Sequence, residues 1–367
     1  MEFIDLGKQY TLYREEIDAA IRKVLERGSY IMGPEVAELE KILADYVGVS
    51  HCITVSSGTD SLQMSLMALE VGPGDEVITV PFTWISTAEV IKLVGADPVF
   101  VDIDADTYLM DVNLAEKAIT SKTKAIIPVD LFGQCADYSA LNALSEKYGI
   151  PIIQDAAQSF GAMQNGRKSC SQGLLSSTSF FPAKPFGCYG DGGAVFTDDD
   201  VLAGKIRAIR THGGEKRHHH TLLGMNGRFD TIQAAVLLAK FPHFSKEVRL
   251  REKIGNRYNE LFSDLGISPK TAEGNSHVYA IYTIRIKERD RVAENLKAEG
   301  IPSAVYYPKC LHEQPVFASL GYSYGDFPHC EQASREVLSL PMHPWLTEEE
   351  QDLVVKVVSR EFSVACV

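Results

Sequence analysis

Ile150-Pro-Ile-Ile-Gln-Asp155 and, further on, Ser179-Phe-Phe-Pro-Ala-Lys184-Pro-Phe-Gly-Cys-Tyr-Gly190-Asp-Gly-Gly-Ala194 decide how this chain is read. The first is a short apolar run closed by an acid, the pattern of a strand buried on both faces. The second sets Lys184 among Phe180, Phe181 and Phe186, and beside Gly187, Gly190, Gly192 and Gly193, where the backbone can approach closely. Working outward, short apolar runs alternate with amphipathic helical patterns. Strands are predicted over 51–55, 76–80, 98–101, 125–129, 151–155 and 193–197, and helices over 60–69, 86–94 and 139–148. Such alternation predicts an α/β fold with a mostly parallel sheet covered on both faces. A long helix is expected from near Arg228, with helical stretches to about 265. A strand over 278–286, a helix over 289–299, a strand over 303–306 and a helix over 347–359 follow. The reading is a large domain over 1–240 and a smaller α+β C-terminal domain over 241–367.

Composition narrows the function classes. With 367 residues and 45% hydrophobic content, the chain can build a large core and more than one domain. A net charge of -13 argues against nucleic acid as the main ligand, because phosphate backbones need basic surfaces. No apolar run is long enough to suggest a membrane span, and the N-terminus lacks the pattern of a signal peptide. Seven cysteines are scattered without a Cys-x-x-Cys pair, so neither a disulfide framework nor a zinc site is expected and a cytoplasmic location fits. His218, His219 and His220 resemble a metal cluster, but no acid or cysteine at a typical spacing completes it; no metal is expected.

The chemistry lies at strand ends. Val55-Ser-Ser-Gly58-Thr59-Asp60 joins a strand to a helix, and a helix start of this kind suits a phosphate as well as a plain N-cap. Asp155 stands where open α/β sheets place ligands, although helix capping is its ordinary reading. Most lysines are solvated, whereas the apolar surroundings of Lys184 lower the cost of a neutral amine. Trp84, after another strand end, can stack on a flat ring or fill a core. Together these pieces match what pyridoxal 5'-phosphate requires: a cradle for its phosphate, a plane against its ring, an acid for its ring nitrogen and an amine for its aldehyde.

At these residues the sequence resembles the DegT/DnrJ/EryC1/StrS family of pyridoxal-phosphate sugar aminotransferases. The resemblance runs from Phe3-Ile-Asp-Leu6 to Leu340-Pro-Met-His-Pro344 and is most specific in Asp155-Ala-Ala-Gln-Ser-Phe-Gly-Ala162 and around Lys184. It implies fold type I, that of aspartate aminotransferase. Lys184 and Asp155 would be catalytic, Gln158 would lie near the cofactor's phenolic oxygen, and Ser179 would bind its phosphate with Gly58 and Thr59. Asn226, in Gly224-Met-Asn-Gly-Arg228, would reach the phosphate in a neighbouring subunit, which implies a homodimer with shared active sites. Relatives with histidine at the lysine position act as dehydratases; keeping Lys184 implies transamination, with L-glutamate as donor and 2-oxoglutarate as product.

Within the family the resemblance is to enzymes that aminate C3 of UDP-2-acetamido-2-deoxy-3-keto-glucuronic acid for bacterial surface polysaccharide. It rests on Tyr30-Ile-Met-Gly-Pro-Glu-Val36, Leu131-Phe-Gly-Gln-Cys-Ala-Asp137, Arg217-His-His-His220 and the block from Asn226 to Ala235. Relatives often read His-Tyr-Pro where this chain reads Tyr306-Tyr307-Pro308. Candidate substrate contacts are Arg228, suited to a planar carboxylate, with Tyr306, Tyr307, His219, His220 and Tyr30. A 3- or 4-keto-6-deoxy sugar on a UDP or dTDP carrier and a regulatory protein without turnover stand as alternatives.

Overall fold

The computed structural model describes residues 1–216 and 218–363; Arg217 and Cys366 lie outside them. Seven strands build the main sheet: β1 (His51–Val55), β2 (Glu76–Thr79), β3 (Asp97–Phe100), β4 (Thr123–Ile126), β5 (Ile153–Asp155), β6 (Leu175–Ser179) and β7 (Gly193–Thr197). Strands β3, β2 and β4 are parallel neighbours. Parallel bridges Ile126↔Ile152 and Val129↔Asp155 carry the sheet across to β5. β5 pairs with β6 in parallel, and β7 runs against both β6 and β1. The spatial order is therefore β3-β2-β4-β5-β6-β7-β1, with β7 alone reversed.

Side chains alternate across a strand, so neighbours enter opposite cores. Cys52, Ile78, Ile126, Ile152 and Phe196 enter one core, with Leu39, Leu141 and Leu237 from covering helices. Ile53, Val77, Ile127, Ile153 and Val195 enter the other, with Leu62, Leu66 and Ile206. Both faces are thus buried, and each fully buried aliphatic side chain contributes roughly 1.5–3 kcal/mol. A third core, with Tyr258, Phe262, Tyr282, Ile284, Leu338 and Val357, surrounds the antiparallel pair β8 (Tyr282–Arg285) and β9 (Val337–Leu340).

Several elements differ from expectation. The long helix expected from near Arg228 starts at Thr231 and runs as one element to Leu261, through Pro242. Its Leu237 and Phe244 enter the first core and its Ile254 and Tyr258 the third, so the boundary expected at 240/241 falls inside one helix that serves both lobes. The strand expected over 278–286 is shorter, because the Val278 and Ile281 amides donate to Gly133 and Phe132. Over 303–306 a single bridge, Ala304↔Ser339, replaces the expected strand. The reading assigned no element to the N-terminal helices Leu6–Arg27 and Pro34–Val47, nor to β6. The latter hides because its Ser176, Ser177 and Thr178 are polar yet fully buried. Their hydroxyls are satisfied: Ser176 donates to Gln154 Oε1 at 2.9 Å and Thr178 to the Ala156 carbonyl at 3.1 Å.

Candidate active site

The carboxyl ends of β1, β2, β5 and β6 converge on a cavity of about 450 Å³, the place where α/β sheets hold ligands. At its β1 corner, Ser57 caps the helix Gly58–Ala68, accepting from the Asp60 amide at 3.0 Å. The first-turn amides of such a helix have no partner within it and favour an anion. Gly58 is required here, since a Cβ would stand 2.7 Å from Ser179 Cβ. Gly193 is held as tightly, because its Cβ would stand 2.5 Å from the Ser57 carbonyl oxygen. Gly58, Thr59 and Ser179 therefore meet at one corner of the cavity. The Thr59 hydroxyl is paired with Ser86 Oγ at 2.8 Å.

Asp155 closes β5 with its carboxylate buried. Thr87 Oγ1 donates to Oδ2 at 2.8 Å and the Ala157 amide to Oδ1 at 3.2 Å. Burial pushes its pKa up; those two hydrogen bonds and the charge of Lys184 pull it back. Lys184 follows β6 in a loop whose neighbours Phe180 and Phe186 are buried in the first core. Its amide donates to the Phe181 carbonyl at 2.9 Å, while the Lys240 ammonium caps the Gly187 carbonyl. Burial lowers the Lys184 pKa, in the direction of the neutral amine, and the charge of Asp155 partly offsets it. Nearby Cys188 is buried, its thiol donating to the Phe180 and Gly190 carbonyls at 3.1 Å.

Gln158 is fixed from both sides: Oε1 accepts from the Phe132 amide at 2.7 Å and Nε2 donates to Tyr307 Oη at 3.2 Å. Burial, with the nearby Asp155 charge, pushes the Tyr307 phenol well above its ordinary range. Trp84 is 60% exposed and lines the cavity, which places it at the opening and not in a core. Its ring lies 6.3 Å from that of Tyr307. Tyr306 lines the cavity too. Thr87 was missed by the reading although it follows Trp84 by three residues. Phe3 and Ile4 also line the cavity, and no local signal in the sequence points to them.

Five expected residues do not line this cavity: Tyr30, His219, His220, Asn226 and Arg228. Tyr30, His219, His220 and Asn226 are exposed. They belong to one connected surface, because Ile31 bridges Asp230, Met32 donates to the Phe229 carbonyl at 3.3 Å and Thr211 bridges Asn226. His220 Nδ1 reaches the His212 carbonyl at 2.9 Å. Arg228 is half-buried, and its Nε has no hydrogen-bond partner among the described residues.

Residues 12–359 match the model of the DegT/DnrJ/EryC1/StrS aminotransferase family. The chain belongs to that family. It is a pyridoxal phosphate-dependent sugar aminotransferase of fold type I. It is 52% identical to the UDP-2-acetamido-2-deoxy-3-oxo-D-glucuronate aminotransferase of Pseudomonas aeruginosa over 94% of this chain and 96% of that protein. A DegT DnrJ EryC1 StrS aminotransferase from Brucella abortus superposes with a TM-score of 0.95 at 46% identity, covering 99% of both chains. NtdA from Bacillus subtilis, solved with bound cofactor PMP, superposes with a TM-score of 0.89 at 30% identity, covering 96% of this chain and 82% of that one.

The aminotransferase's own residues fit the cofactor. Gly58 lets the helix start pack directly against Ser179, which brings the first-turn amides and the Ser179 hydroxyl to one corner of the cavity, a donor set that suits a phosphate. A buried carboxylate and a half-buried lysine line the same cavity, and each biases the other's titration.

Proposed function

We propose that this aminotransferase transfers an amino group from L-glutamate to C3 of UDP-2-acetamido-2-deoxy-3-oxo-D-glucuronate, in the cytoplasm, on the way to a bacterial surface polysaccharide. The observation that carries the chemistry is Lys184 and Asp155 in one enclosed cavity, each titration biased by burial and by the other. The substrate rests on the 52% identity to the P. aeruginosa enzyme of that name.

Bound in the cavity, pyridoxal phosphate supplies an electron sink and carries the amino group between donor and acceptor. Gly58, Thr59 and Ser179 would hold its phosphate, Trp84 would cover one face of its ring, and Gln158 would present Nε2 near its phenolic oxygen. Asp155, held in orientation by Thr87 and Ala157, would keep a proton on the ring nitrogen. Lys184 Nζ, driven toward the neutral form by burial, takes the proton from the donor's α-carbon and returns one at C3 of the sugar. Phe181, Tyr306 and Tyr307 wall the cavity and limit water around the reacting carbon.

We propose further that two copies complete each site. Asn226, Arg228, Tyr30, His219 and His220 stand on a surface outside the chain's own cavity, as expected of groups offered to a neighbour. Arg228 would meet a substrate carboxylate, since Lys184 is the cation among the lining residues and its amine is committed to proton transfer. The lobes 1–240 and 241–367 would be the units that close on substrate.

The experiment is amino transfer from L-glutamate against a panel: the 3-oxo-glucuronate, its 3-oxo-glucosamine counterpart and a dTDP-linked 4-keto-6-deoxy sugar. Turnover of the uronate far above the others is expected. Preference for a sugar lacking the carboxylate would overturn the substrate, and no turnover with any keto-sugar would favour the regulatory reading.

A further inference from the structure

Cys310, His312 and Cys330 come together by folding, although their linear spacing predicts no metal site. Their ligand atoms all lie within 4.8 Å of one another, and all three residues are buried. None of them lines the cavity of Lys184. His312 is 4% exposed, and its Nε2 meets Glu331 Oε1 at 3.1 Å. A carboxylate at that distance fixes the proton on Nε2 and leaves a lone pair on Nδ1. Nδ1 is buried and has no hydrogen-bond partner among the described residues. A buried polar atom left in that state costs about 1–3 kcal/mol, so a partner for it is the natural resolution. Glu331 is itself held from behind, accepting from the Gly325 amide at 2.8 Å, which suits it to orient the imidazole.

Two thiols and an imidazole lone pair make a soft donor set of the kind zinc takes, with the histidine oriented by a carboxylate on its far nitrogen. We propose that Cys310, His312 and Cys330 bind a zinc ion, with Glu331 orienting His312 and a neutral oxygen donor in the fourth position. Binding releases both thiol protons, and two thiolates with a neutral imidazole balance the charge of the cation, so the ion and its direct ligands carry no net charge.

The place of the cluster gives the ion a structural role. The amide of Leu311, between two of the ligands, donates to the Pro81 carbonyl at 2.7 Å, just before the segment that carries Trp84 and Thr87. The amides of His329 and Cys330 donate to Asp102 Oδ2 at 2.8 Å and Oδ1 at 3.0 Å. An ion there would tie the start of the helix Pro328–Glu336 to the segment that follows Tyr306 and Tyr307. It would fix one wall of the active-site cavity without touching the substrate.

The test uses the full chain with its cofactor, purified under reducing conditions. It is titrated with Zn²⁺ or with Co²⁺, dialysed, and its metal counted by elemental mass spectrometry. The expected result is about one zinc retained per chain. The cobalt form should show a thiolate-to-metal charge-transfer band. Cys330→Ala and His312→Ala should lose the ion, and Cys310→Ser serves if either fails to fold. Cys52→Ala, a buried cysteine outside the cluster, should keep it. Wild type that retains no metal overturns the proposal, as does a Cys52→Ala variant that loses as much as the cluster variants. A Cys310–Cys330 crosslinked peptide from protein never exposed to reductant would also overturn it, by assigning the two thiols to a disulfide.

Discussion

The floor of the cavity and the surface around Arg228 are built in opposite ways. On the floor, Asp155, Gln158 and Lys184 are enclosed, and both polar ends of Gln158 and both carboxylate oxygens of Asp155 have partners in the same chain. On the surface, Tyr30, His219, His220 and Asn226 face outward, and Arg228 keeps an unpaired buried Nε among the described residues. The difference teaches which parts of the site one chain finishes by itself. Groups that handle protons are preorganised by their own fold; of the groups expected to recognise substrate, Tyr306 and Tyr307 line the cavity, and Tyr30, His219, His220 and Arg228 stand outside it.

The sharpest way to break this comparison is at the floor. Lys184→Ala should lower the rate of amino transfer by ~10³-fold or more, with the fold intact by circular dichroism. Retention of even a tenth of the activity would remove the lysine from the proton path. Asp155→Asn should cost ~10²–10³-fold in kcat, because the buried charge that holds the ring proton is gone. The pH profile tests both together. Asp155 is pushed up and must be ionised; Lys184 is pushed down and must be neutral, so both titrations lose activity as pH falls. The acid limb of kcat should therefore lie above the ordinary aspartate range. An acid limb at pH ~4, the unperturbed aspartate value, would contradict the burial of Asp155.

Smaller effects sharpen the line between the two regions. Thr87→Val removes a donor to Asp155 at nearly constant volume and should lower kcat about tenfold while leaving KM within about twofold. Arg228→Ala should do the reverse, raising KM for the sugar about tenfold with little change in kcat. Mixing Lys184→Ala and Arg228→Ala subunits under conditions that exchange chains should, at sugar concentrations well below KM, give activity above either parent. No recovery would mean that floor and surface belong to one chain's site, and the comparison would lose its meaning.

Much of this was legible beforehand because strand ends have clear signals. An apolar run closed by an acid put Asp155 at a strand end, strand-to-helix patterns put Gly58 and Trp84 just past two others, and Phe-rich flanks marked Lys184. The rest was hidden for physical reasons. β6 carries hydroxyls into the core, satisfied by Gln154 and the Ala156 carbonyl, so hydrophobic periodicity passes over it. The division expected at 240/241 stands beside Pro242, yet the helix Thr231–Leu261 continues through that proline from one core into another, so a local break signal there does not end the element. Thr87 acts through a hydrogen bond to a residue far along the chain. Cys310, His312 and Cys330 sit at spacings that mean nothing until the helix Pro328–Glu336 folds back.

The reversed strand β7 has a mechanical consequence. Because it pairs with β6 through Thr178↔Ala194 and Ser179↔Gly193, both feet of the loop carrying Lys184 are clamped in adjacent rungs of one ladder. The main chain at that point cannot recoil far, so whatever travel the amine makes during a catalytic cycle must be a swing of its own methylene tether. The lysine then resets between half-reactions by rotating single bonds, without refolding of the loop that carries it.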